Sequence, residues 1–301
     1  MSMLLITGTY RITGDSPDGD TVRFYPDDAA FWCDVPGMHK VKRNEHGGVS
    51  IRLDGIDALE THYPGVGDFV HQPLGLGAHA ARNELLTWLG FTEVVRDDKK
   101  EEERVGSSKP GAVPGYILTS GADVYNRCIA LVGRGDAPKI GTDPDPARSG
   151  THLNVTVDML RATANHHLLS LGLVYPTFYK NLPADLRMDM TATAQQARKD
   201  KAPDSVWLND KTTSGEKIEN LESLTDDLVM LPKLFRHLVD YVRVFGPDLG
   251  GVPAFLAGKA DEYTLPEDRN KRIFGLQHVV QVTDGTLRMT RPIEDLIFAE
   301  K

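Results

Sequence analysis

Over residues 1–62 the apolar positions come in short runs with β-rich composition. The opening MSMLLITGTY reads as a first strand, and residues 21–25 and 49–53 read as two more. Between the last two, PDDAAFWCDVPGMHKVKRNEHGG is polar and rich in turn formers, which suits an elongated hairpin or an inserted loop. The period then changes. Ala78, Ala81, Leu85 and Trp88 or Leu89 repeat at helical spacing, so residues 74–90 are predicted to be a helix capped by Gly90. Residues 91–96 read as a short strand. Residues 97–115, charged and then rich in Gly, Pro and Ser, read as a solvated, mobile loop, and 124–133 as another strand.

Farther on, Val157, Leu160, Ala164, Leu168 and Leu171 share one face, which predicts a single amphipathic helix over 153–171 ended by Gly172. A third helix is expected over 183–201, stopped at Ala202-Pro203, with Trp207 closing the region. Residues 208–218 read as a linker. Two more helical patterns follow at 218–230 and 234–245, then a β-rich run over 273–282. Asp284-Gly285 between that run and residues 286–290 is a hairpin signal. The pattern therefore predicts an α+β protein with two units, residues 1–207 and a small C-terminal α+β lobe over 219–301.

Composition changes this picture little. The 301 residues are 40% hydrophobic and 26% charged, as in ordinary globular proteins. A net charge of −9 argues against a static, tight nucleic-acid binder, though less against a catalyst that needs positive charge at one cleft. Cys33 and Cys128 make neither a disulfide framework nor a zinc spacing and are expected to be free thiols. The N-terminus lacks a basic segment and a signal core, and no apolar run is long enough for a membrane, so a cytoplasmic location is expected.

Three segments carry candidate chemistry: Asp18-Gly19-Asp20-Thr21-Val22; Arg52 followed by Asp57-Ala58-Leu59-Glu60; and Asp123-Val124-Tyr125-Asn126-Arg127. Taken singly, each has a plain reading as a tight turn, a surface ion pair or a solvated loop carboxylate. Taken together, Asp20, Asp57 and Glu60 supply the hard oxygens that suit calcium. Two arginines match phosphate oxygens, and a carboxylate beside a metal-bound water orients that water or takes its proton. Asp54 reads as an ion-pair partner more readily than as a contributor to such a site. His166 and His167 point in different directions on a helix and do not form a metal pair. The mixed-sign run 99–104 reads as solvated loop.

In order and spacing these segments resemble the staphylococcal nuclease (thermonuclease) family, over roughly residues 5–207. The resemblance implies a five-stranded OB-fold β-barrel with three packed helices. It implies calcium held by the Asp20 and Asp57 carboxylates and the Ala58 carbonyl, with Arg52 and Arg127 on the scissile phosphate and Glu60 on the attacking water. Tyr125 matches a nucleotide-contacting tyrosine. Tyr175 and Tyr179 lie near the family's stacking tyrosines, where packing and stacking both stay open. The implied activity is calcium-dependent hydrolysis of DNA and/or RNA to 3′-phosphate ends. Two departures stand out. The family's D-x-P-E is Asp57-Ala58-Leu59-Glu60 here, and the lysine and glycine of D-K-Y-G-R are Val124 and Asn126.

The alternative is an inactive OB-fold module that binds nucleic acid or protein, which would be expected to lack at least one of Asp20, Arg52, Asp57, Glu60 and Arg127. A third reading places the protein's work in the C-terminal lobe. No motif there chooses among docking on the barrel, forming a homo-oligomer and binding a protein partner.

Overall fold

The computed structural model describes residues 2–65, 67–97, 103–141 and 143–299. In chain order the first elements are β1 (Ser2–Tyr10), β2 (Thr21–Pro26), β3 (Val49–Leu53), the short β4 (Ile56–Asp57), α1 (Ala78–Leu89), β5 (Glu93–Arg96), β6 (Val105–Lys109), β7 (Val113–Ala122), β8 (Cys128–Arg134) and β9 (His152–Asn154). Five of them close a barrel in the order β1-β2-β3-β8-β7, with β7 returning to β1. The β3–β8 pair is parallel and the other four are antiparallel. A closed five-stranded barrel of this kind is consistent with an OB-fold.

Closure depends on β1 pairing along its length with β7 and, at its far end, with β2. At Gly8, where β1 meets both partners, a Cβ would lie 2.1 Å from the Tyr25 carbonyl oxygen, so only glycine permits the approach. Leu5, Val22, Phe24, Ile51, Leu118 and Leu131, from both faces of the barrel wall, are all buried in one apolar core.

The helices that cover it are α1, α2 (Val157–Arg161), α3 (Ala164–Ser170) and, after the short strands β10 (Tyr175–Pro176) and β11 (Phe178–Tyr179), α4 (Ala184–Asp200). The single helix expected over 153–171 is broken. Its first residues form β9, and Thr163 ends α2 and starts α3 by accepting from the His166 amide while donating to the Leu160 carbonyl. Side-chain periodicity continues through such a break, because the apolar face is shared by both pieces. The loop expected over 97–115 is also corrected. Residues 98–102 lie outside the described residues, but β6 pairs with β5 from Glu93↔Lys109, and β7 begins at Val113.

Beyond α4 come β12 (Glu216–Lys217), α5 (Pro232–Phe245), α6 (Val252–Lys259), β13 (Glu262–Leu265), β14 (Asp268–Phe274), β15 (Val280–Thr283), β16 (Thr286–Met289) and β17 (Ile297–Phe298). The hairpin at Asp284-Gly285 is present, with both residues at positive φ, as a two-residue hairpin turn of this kind requires. The helix expected over 218–230 shrinks to one turn, Ser223–Asp227, because the buried run Leu228–Leu231 leaves it in extended conformation. The expected run over 273–282 is split between β14 and β15 by a turn at Leu276–His278.

Two apolar cores result. The first lies wholly within residues 3–194. The second gathers Leu59, Ala78, Tyr175, Val206 and Trp207 with Leu234, Phe235, Leu238, Val239 and Phe298, so it spans the segment read as a linker. Strand β11 also pairs in parallel with β17. No helix among the described residues is long and apolar enough to cross a membrane.

Candidate active site

The turn before β2 is pressed between two elements. A Cβ on Gly19 would sit 2.6 Å from the Ala58 Cβ and 2.7 Å from the Ala81 Cβ, so glycine lets the Asp18–Asp20 turn lie against both α1 and the segment after β4. In that position Asp20 accepts a hydrogen bond from the Ala58 amide at 2.8 Å and one from the Thr21 hydroxyl at 3.0 Å. Arg52 stands opposite Thr21 in the β2–β3 register. Its guanidinium forms ion pairs with Asp20 and with Asp57 and donates to the Ile56 carbonyl at 3.2 Å. Asp57, on β4 opposite Tyr175, is fully buried.

The second guanidinium at Asp57 comes from outside the barrel. Arg236, on α5, donates to Asp57 Oδ2 at 3.2 Å and pairs through its other nitrogen with Glu60 Oε1. The Glu60 backbone is fixed by the buried Gln72, whose amide donates to the Glu60 carbonyl while its side chain accepts from the Glu60 amide and donates to the Met230 carbonyl. Asp20, from the first motif, and Arg52, Asp57 and Glu60, from the second, are therefore brought together at one edge of the barrel, and Asp18 adjoins them.

The electrostatics follow from crowding four carboxylates in a poorly hydrated space. Burial pushes the Glu60 carboxyl up to about 7; Arg236 opposes this, and the charges of Asp18, Asp57 and Asp20 add to it. Burial and then Asp20 raise Asp18 to about 6, against hydrogen bonds from the Gly19 amide and Thr61. Burial also works against the charge on Asp57, but Arg236 and Arg52 outweigh it and hold that carboxyl below its ordinary value. Burial likewise opposes the charge on Arg52, and Asp20 and Asp57 more than restore it.

Carboxylate oxygens are the donors that a hard divalent cation takes, and Asp18, Asp20, Asp57 and Glu60 bring four such groups beside Arg52 and Arg236, with the charges of Lys233 and Arg96 also reaching Asp57 and Asp18. As placed, the guanidiniums hold these carboxylates, and among the described residues no three carboxylate, histidine or cysteine groups converge on a common ion position.

Arg127 is elsewhere on the same wall, one residue before the Ile51–Cys128 pair. Its Nε donates to Asp123 at 2.8 Å, and its guanidinium lies over the Tyr125 ring at 5.7 Å. The Asp123 carboxylate also accepts from the Tyr125 and Arg127 amides, and Asn126 has φ 65°, the left-handed geometry that asparagine tolerates. Arg127 is 32% exposed at its side chain and makes no ion pair with the carboxylate cluster. Tyr125 is 76% exposed. Tyr179 is half-buried beside Phe298. Tyr175 is a packing residue: it is fully buried, its ring meets Trp207 edge-on at 5.0 Å and its hydroxyl donates to Asp210 at 2.7 Å.

Two residues of this cluster were not among the sequence candidates. Asp18 lay in plain view inside the Asp18-Gly19-Asp20 motif. Arg236 left a fainter trace, since Lys233, Arg236, His237 and Asp240 recur at helical spacing on one flank of α5, a polar stripe beside the helix's buried apolar face. No protein-family model matches the chain, and no curated protein matches it.

Proposed function

We propose that the protein is a calcium-dependent phosphodiesterase of the staphylococcal nuclease type, cleaving DNA and/or RNA to leave 3′-phosphate ends. The observation that carries this reading is the meeting of Asp20, Arg52, Asp57 and Glu60 at one edge of a closed five-stranded barrel. In this reading Asp20, Asp57 and the Ala58 carbonyl hold calcium, with Asp18 and Glu60 beside them. A bound calcium ion supplies Lewis-acid stabilisation of the phosphate charge. Arg52 stays cationic and bonds the phosphate oxygens most strongly as charge builds in the transition state. Glu60 takes a proton from the attacking water. The water oxygen bonds to phosphorus, the bond from phosphorus to the 5′-oxygen breaks, the 5′-oxygen takes a proton from solvent, and Glu60 returns its proton to solvent. Arg127 and the exposed Tyr125 ring, a short distance along the wall, engage the phosphate and base of the bound strand.

One observation favours the alternative of an inactive OB-fold binding module: both Asp57 oxygens and one Glu60 oxygen are already neutralised by arginines. A single assay separates the two. Single-stranded DNA, double-stranded DNA and RNA are incubated with the protein in calcium and then in chelator, with end-group analysis of products. The nuclease reading expects calcium-dependent cleavage that Glu60→Ala reduces by about 100-fold or more while the fold persists. Binding without cleavage on every substrate would establish the module instead.

A further inference from the structure

The second arginine of the carboxylate cluster is Arg236, whereas Arg127 is bonded to Asp123 outside it. Helix α5 fixes where Arg236 starts. Leu234, Phe235, Leu238 and Val239 around it are all fully buried in the second core, so the backbone at 236 is a rigid wall of the site and not a swinging latch. The other basic side chains on the same flank bond elsewhere: Lys233 and His237 both reach Asp261, at 3.5 and 2.7 Å, and Lys233 acts on Asp57 only through its charge. Arg236 is the α5 cation that meets Asp57 and Glu60, and its side chain keeps 26% exposure to solvent.

A guanidinium presents a planar fork of donors that suits a phosphate as well as a carboxylate. Exchange from one to the other keeps its hydrogen bonds and needs only side-chain rotation. We propose that Arg236 is a substrate-contacting arginine of this site, which neutralises Asp57 and Glu60 in the free protein and passes to a phosphodiester oxygen when the substrate enters. The proposal rests on the phosphodiesterase reading. It makes Arg52 and Arg236 the pair that flanks the reacting phosphate, and it gives the residues beyond 208 a direct part in the chemistry.

The test uses full-length Arg236→Gln and Arg236→Lys, with circular dichroism and gel filtration confirming the fold. Calcium binding is followed by calorimetry and cleavage by steady-state kinetics. For Arg236→Gln, calcium affinity is expected to rise about 10-fold, because a competing positive charge near the carboxylates is gone. At the same time kcat is expected to fall by about 100-fold. Arg236→Lys, which keeps the charge and loses the fork, should recover part of kcat. A residue that merely holds the fold would weaken calcium binding and leave kcat per folded molecule unchanged, and that result overturns the proposal. A rise in kcat would also overturn it, by making Arg236 an inhibitory plug. If Arg236→Gln does not fold, Arg236→Lys decides alone: a fall of about 10-fold in kcat supports the phosphate contact, and an unchanged kcat overturns it. If the wild-type protein cleaves nothing, the phosphodiesterase reading fails by itself. The same variants are then read by equilibrium binding of a single-stranded oligonucleotide in calcium, where about 10-fold weaker binding supports the contact and unchanged binding overturns it.

Discussion

The two charged regions of the barrel wall are built on opposite plans. At the Asp123–Arg127 turn the ion pair joins residues four apart, both partly exposed, and the turn's own backbone satisfies the Asp123 carboxylate. At the Asp57–Glu60 seam the ion pairs join Arg236 to residues 176 and 179 positions away, and the groups sit behind helix α5. A local, exposed pair forms with little cost and contributes little. A distant, buried pair requires the whole fold to bring its members together, and leaves an uncompensated charge if one is lost.

That contrast can be broken experimentally. The largest effect is expected for Arg52→Ala, which strips Asp20 and Asp57 of their shared partner and should cost about 3–5 kcal/mol in urea denaturation. A loss below about 1 kcal/mol would mean that the seam carboxylates are not compensated as described. Next, Tyr175→Phe removes the hydroxyl that donates to the half-buried Asp210 and should cost about 1–3 kcal/mol, with cleavage per folded molecule unchanged. A selective loss of nucleotide affinity in that variant would return Tyr175 to the substrate-stacking role.

The pH dependence sharpens the same point. Glu60 has its carboxyl raised from 4.5 to about 7 in the folded chain, so the folded state prefers it protonated. Its contribution to stability is fully present below about pH 4.5 and is lost as pH rises through about 7. Urea melts in chelator should therefore show stability falling across that window, and Glu60→Gln should flatten the fall. An identical slope in both proteins would show that Glu60 does not titrate in this range. The smallest stability effect belongs to the exposed turn. Arg127→Ala should change folding by less than about 1 kcal/mol while lowering cleavage by about 10-fold through weaker binding of the strand. Equal losses of stability and activity would erase the distinction between the two regions.

What could be read in the sequence was what short-range chemistry determines. Gly90 at φ 109° ends α1, and Asp284-Gly285 turns β15 into β16. Each depends on a handful of neighbouring residues. The break at Thr163 was hidden because the helices on either side keep one apolar face. Leu228–Leu231 looked helical because four consecutive apolar residues carry no period of their own. Tyr175 lies near a stacking position of the family, and the choice of packing depends on Trp207 and Asp210, which a local pattern does not contain. Arg236 was out of reach for the same reason: its role is defined by partners that only tertiary packing brings near.

The second core has a consequence for how the chain is made. Leu59, Ala78, Tyr175, Val206 and Trp207 are covered by residues 218–298. During synthesis the barrel strands emerge first and can close on their own core, while this flank waits for α5 and β17. Until then the nascent protein carries an uncovered apolar face and a carboxylate cluster lacking Arg236. The site at the Asp57–Glu60 seam is thus completed among the last events of folding, well after the barrel that supports it.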